Sequence, residues 1–141
     1  MRLLPLALLG CLLSFPTTAE EYEYRLNIGL FTDHYINDSD EYNEDNQLLQ
    51  LSAVKGGRIL TAATFVNSHY VRSYLVGAGM EWEYDEHLRY GGYLALIKGY
   101  EGHIKTHYEG LMVAPIGFIN YRGITINVIP AAYSIGFEFD F

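Results

Sequence analysis

Basic residues are scarce in this chain: nine Lys and Arg stand against 17 Asp and Glu, for a formal net charge of −8. A nucleic-acid surface needs a basic patch, so no nucleic-acid partner is expected. Cysteine is almost missing, with Cys11 the only one, so no disulfide can form within the chain. Past Phe15 no apolar run approaches the ~20 residues of a membrane-spanning helix, so any membrane crossing has to be made by strands. Proline is rare, with four copies; Pro115 falls inside an expected strand and Pro130 at the end of one. Aromatic residues are the opposite case, with 13 Tyr and seven Phe.

The two ends of the sequence carry opposite patterns. Arg2 followed by the interrupted apolar run Leu3 to Phe15 and the small residues Thr17-Thr18-Ala19 reads as a secretory signal peptide cleaved after Ala19. Leu8-Leu9-Gly10-Cys11 resembles a lipoprotein box, but the apolar run continues past Cys11 and so places it inside the hydrophobic region. At the other end, Tyr133, Ile135, Phe137, Phe139 and Phe141 alternate with Ser134, Gly136, Glu138 and Asp140. A period of two gives one apolar and one wet face. Ending such a strand on Phe resembles the C-terminal signal of outer-membrane barrels, whose apolar face meets lipid and whose polar face meets the lumen. An aromatic soluble sandwich is the competing architecture.

Residues 20–141 are enough for one domain and hold eight strand candidates: 22–31, 47–54, 59–66, 70–83, 88–99, 109–119, 124–129 and 133–141. The expected fold is an all-β, eight-stranded antiparallel transmembrane barrel, an even number as bacterial single-chain barrels require. Short turns at 55–58, 84–87 and 120–123 suit the periplasmic side. The polar loops 33–45 and 100–108 suit the outer side, and the cell outer membrane is the expected location. Proline cannot donate to a ladder, so Pro115 and Pro130 predict weakened pairing near the outer ends of strands six and seven, or a simple bulge. Gly77, Gly79, Gly91, Gly92 and Gly99 either open the lumen or mark bends.

Several short strings, in order, resemble the lipid A palmitoyltransferase (PagP) family: Tyr42-Asn43-Glu44, Phe65-Val66-Asn67-Ser68-His69-Tyr70, Val113-Ala114-Pro115, Tyr121-Arg122-Gly123-Ile124-Thr125 and Ile129-Pro130-Ala131. The amphipathic helix that precedes the barrel in that family has no counterpart here, since only Glu20-Glu21 separate the expected cleavage site from the first strand. The resemblance implies transfer of an acyl chain from a phospholipid to lipid A, by a histidine on the first outer loop and an Asp-Ser pair on the second. The matching residues are His34, as base, and Asn67-Ser68, with Asn67 standing where the family has Asp. Ser68 would supply the hydroxyl and Asn67 would orient it or stabilise developing charge, with Asp33 a substitute for the missing carboxylate. A non-enzymatic barrel with a structural or ligand-binding role is the alternative.

Other candidates have plainer readings. Asn and Ser bond their own backbone in turns, which alone accounts for Asn67-Ser68. His69, His103, His107 and Glu101 could gather a metal, and the acidic loop 33–45 could bind divalent cations through oxygen ligands. Solvated loops account for both, and neither a metal nor a cofactor is expected. Arg72 and Lys98 could reach lipid phosphates or form lumen ion pairs. The expected partners are membrane lipids, and the expected state is a monomer.

Overall fold

The computed structural model describes residues 21–35, 42–100 and 110–141. The chain forms eight strands: β1 (Glu23–His34), β2 (Leu49–Lys55), β3 (Arg58–Val66), β4 (Arg72–Glu83), β5 (Leu88–Lys98), β6 (Leu111–Tyr121), β7 (Ile124–Ile129) and β8 (Ala132–Asp140). Each pairs antiparallel with its sequence neighbour, and β8 closes on β1 to complete a barrel. The expected signal peptide, with Cys11, lies outside the described residues.

Two hairpins are as tight as the glycines predict. Lys55 pairs with Arg58 across Gly56-Gly57, and Tyr121 pairs with Ile124 across Arg122-Gly123. All four turn residues have positive φ, the conformation that lets a two-residue turn follow the twist of its strands. These turns and the 84–87 connection lie at the end that holds both termini of the described barrel. The described residues of the other connections, 42–48, 67–71, 99–100 and 130–131, lie at the opposite end.

Alternation sorts the side chains between two environments. Outward faces carry exposed Leu51, Val76, Leu94, Val113, Ile126 and Phe137. Rings mark the lower rim: Tyr24 stacks on Tyr22 and Phe141, and Trp82 on Tyr90. A continuous apolar outer wall of this kind is what a barrel presents to lipid.

The interior is layered. Near the termini, Arg25 bonds both carboxylate oxygens of Glu81, one of them at 2.8 Å, and both side chains are buried. Arg89 pairs with Glu138 at 2.7 Å. Above this ionic layer, Tyr93 and Phe118 lie with ring centroids 6.4 Å apart. The strand glycines make room for these rings: a Cβ at Gly77 would sit 2.8 Å from the Tyr93 ring and one at Gly91 would sit 2.9 Å from Phe118. Gly77 and Gly91 therefore seat an aromatic floor and do not leave empty lumen beside themselves.

Removing one partner of a buried ion pair strands the other. Arg25→Ala should lower unfolding stability in detergent by about 3–5 kcal/mol, whereas Arg25→Met with Glu81→Leu should recover most of the loss. Denaturant unfolding read by tryptophan fluorescence checks both, and a single variant as stable as the parent would contradict the assignment.

Candidate functional site

The upper half of the barrel departs from regular pairing at three places, and together these build a site. The first is in β1. Arg25, Asn27 and Gly29 point inward, and an unbroken alternation would send His34 outward with Leu26 and Ile28. Between Gly29 and Phe31 the register slips: Gly29 faces Gly136 but Phe31 faces Ile135, so Leu30 is an extra residue. A bulge of this kind reverses the alternation beyond it. Thr32 and His34 consequently line the lumen, while Asp33 turns outward and accepts a hydrogen bond from the Tyr133 hydroxyl at 2.9 Å. Asp33 thus serves the outer face and does not take the place of a catalytic carboxylate.

The second departure is beside β2. The β1–β2 ladder ends at Ile28–Leu49, and the chain returning from the first connection fills the gap above it. Gly29 donates to the Leu48 carbonyl at 2.9 Å and Thr32 to that of Glu44 at 2.8 Å. On its other side this segment meets β3 and its connection: Val66 donates to Asn46 at 2.7 Å and Asn43 to Ser68 at 3.0 Å, backbone to backbone. Asn43 and Asn46 are buried, and the Asn46 amide donates to the Thr32 hydroxyl at 2.8 Å. The strap 42–48 therefore ties the His34 strand to the Ser68 connection.

That connection is organised by Asn67, which is 2% exposed. Its side-chain oxygen accepts from the backbone of His69 at 2.8 Å and of Val71 at 3.2 Å. Its amide donates to the Ser73 hydroxyl at 2.9 Å and to the Gly99 carbonyl at 2.8 Å. Tyr70 takes positive φ, which ends the turn and delays β4 to Arg72, two residues later than the alternation predicts. All hydrogen-bonding capacity of the Asn67 side chain is committed to these contacts. It does not reach the Ser68 hydroxyl, so its part is to shape the turn that presents Ser68. An aspartate could not donate to the Gly99 carbonyl, which accounts for an amide at this position.

His34 Nε2 and Ser68 Oγ lie 2.8 Å apart. With Nε2 unprotonated, the hydroxyl donates to it, the arrangement a general base needs. His34 is held by a ring contact with Tyr42, centroids 4.8 Å apart, and the ring series continues edge-on through His69 to Tyr100. Among the described residues, no carboxylate contacts the other nitrogen of His34. Burial pushes the Tyr100 phenol up to about 12. His69 joins this aromatic rim, and Glu101, His103 and His107 lie outside the described residues, as do Asp38, Asp40 and Glu41 of the acidic loop.

Below the pair is a cavity of about 450 Å³, within the size range of small-molecule sites. Phe65, Leu75, Ile97, Met112, Ala114 and Ile116 supply its apolar wall. The third departure opens its side. The β6–β7 ladder stops at Gly117–Val128, so among the described residues Leu111–Ile116 have no ladder partner on the β7 side. Pro115 and Pro130 flank this gap without N–H groups to close it. Val113 and Pro115 lie on the outward face of β6 and yet border the cavity, so among the described residues the cavity reaches the wall beside this gap. Pro115 itself does not interrupt β6, which runs through it in register with Leu94. Arg72 and Lys98 face outward, not into the lumen, and Arg72 donates to the Gln47 side chain at 3.0 Å.

Sequence reasoning missed Tyr42, Asn43, Asn46 and Tyr100 as parts of the site. Tyr42-Asn43 begins the first of the strings that resemble the family, the one signal in the sequence that points to the strap.

No protein-family model matches the sequence, and no curated protein matches it. Among solved structures, the chain resembles the outer membrane protein Ail of Yersinia pestis, solved in a phospholipid bilayer nanodisc. The TM-score is 0.50 at 11% identity, over 86% of this chain and 100% of that one. At that identity the likeness is one of fold: a small eight-stranded barrel shared with an outer membrane protein.

Deleting Leu30 removes the extra residue and should return His34 to the lipid-facing side. A cysteine at position 34 should react readily with a water-soluble maleimide in the parent and severalfold more slowly in the deletion variant. Equal labelling would show that the bulge does not aim this side chain.

Proposed function

We propose that this chain is an outer-membrane acyltransferase that moves an acyl chain from a phospholipid to lipid A or another outer-leaflet lipid. The observation that carries the reading is the 2.8 Å contact between His34 and Ser68 at the mouth of the cavity. The gap between β6 and β7 gives a lipid chain a lateral way into that cavity, and the apolar outer wall and the fold shared with Ail support a place in the outer membrane. The end holding 35–48 and 67–71 would face outward, with both termini periplasmic.

The chemistry needs only groups already in place. Ser68 Oγ attacks the ester carbonyl of the donor while His34 takes its proton, and the departing lyso-lipid oxygen receives that proton. The acceptor hydroxyl then attacks the acyl-serine with His34 again as base, forming the new ester and regenerating Ser68. Tyr42 holds the imidazole ring, the role a carboxylate has in most such triads.

A non-enzymatic barrel is the second reading, favoured by one observation: no described carboxylate contacts the imidazole.

Mass spectrometry of lipid A from membranes with and without the protein tests the proposal. The expected result is a mass gain of one acyl chain that falls at least about 10³-fold in Ser68→Ala and in His34→Ala. An unchanged spectrum with folded protein in the membrane overturns it. Asn67→Asp should not raise activity, and should cost about 1–3 kcal/mol of stability because the Gly99 carbonyl loses its donor. Enhanced turnover by that variant would contradict the positioning role.

A further inference from the structure

The cavity is not uniformly apolar. Opposite Leu75, Ile97, Ala114 and Ile116, three polar side chains form a row on the inner face: Thr32 pairs in register with Ser134, and Ser134 with Asn127. All three line the cavity. Their hydrogen bonds are only partly used. Asn127 donates to the Ser134 hydroxyl at a long 3.3 Å, and Thr32 accepts from Asn46 at 2.8 Å. Among the described residues, the carbonyl oxygen of Asn127 has no partner and the two hydroxyl hydrogens have no acceptor. Asn127 is 6% exposed and lines the cavity, so its side chain is screened from bulk water.

A plain methylene chain drawn past this row would leave those polar atoms without partners, a cost that lowers affinity. A chain carrying a hydroxyl at that height would give Asn127 a donor and Thr32 or Ser134 an acceptor. The height is set by the strand: Thr32 is two residues below His34 on β1, about 6–7 Å along it. The hydroxyl must therefore lie near the carboxyl end of a chain whose carbonyl sits at the His34–Ser68 pair.

From this row we infer that the cavity selects acyl chains bearing a hydroxyl group close to the carboxyl end. This selectivity rests on the acyl-chain reading of the cavity given above. Sites built to hydrogen-bond a substrate hydroxyl discriminate strongly against the analogue that lacks it, whereas purely apolar pockets barely notice one.

The test is competition for a fluorescent fatty acid bound to the folded protein in detergent micelles. β-Hydroxypalmitate should displace it at about tenfold lower concentration than palmitate. Asn127→Leu, close in size, should bring the two acids to similar potency, and Ser134→Ala should narrow the difference without altering the bulk of the pocket. Equal potency in the parent, or a preference that survives both variants, overturns the selectivity and leaves the acyl-chain reading standing. Failure of both acids to displace the probe overturns both readings.

Discussion

Leu30 has no partner in β8: Gly29 faces Gly136, Phe31 faces Ile135, and the residue between them is surplus. In a barrel whose two faces differ this much, a one-residue slip exchanges every later side chain between lipid and lumen. Here it places two apolar residues, Leu30 and Phe31, side by side on the outer wall. It also turns Thr32 and His34 inward, where unbroken alternation would have sent them out. The polar row, the histidine and the outward Asp33–Tyr133 contact all depend on that change of phase.

Backbone satisfaction explains the rest of the upper half. A barrel in hydrocarbon must pair its N–H and C=O groups internally, and β2 is too short to serve the upper half of β1. The strap 42–48 supplies the missing partners on one side and reaches the Ser68 connection on the other. Meeting the backbone's needs and bringing His34 to Ser68 are thus one arrangement. Between β6 and β7 no such strap is seen among the described residues, and the prolines at 115 and 130 fit a wall left open. Regular pairing and the Arg25–Glu81 layer below give this loosened end a rigid base.

Much of the fold was legible because lipid and lumen impose a strict period of two. Ile124 to Ile129 and Tyr133 to Phe141 could hardly form anything but two-faced strands, and Gly56-Gly57 and Arg122-Gly123 announced their turns. What stayed hidden depended on contacts between distant segments. The bulge left only a faint mark, the Leu30-Phe31 pair, indistinguishable by pattern from a strand ending one residue early. Asn67 read as ordinary turn chemistry because its obligatory partner, the Gly99 carbonyl, lies 32 residues away. Nothing in the sequence near Gly77 and Gly91 marks the Tyr93 and Phe118 rings that lie against them. His34 and Ser68 entered through resemblance alone; periodicity would have put His34 on the wrong face.

A lipid chain that enters the lumen from the surrounding membrane would pass beneath His34 and Ser68. The direct test is methyl NMR of the protein in nanodiscs containing a phospholipid with a spin label on its acyl chain. The expected result is strong relaxation enhancement at the lumen methyls of Ile97, Met112 and Ile116, comparable with that at outward-facing Val113 and Val128. Enhancement confined to Val113, Val128 and the rest of the outer wall, with the lumen methyls unaffected, would contradict it.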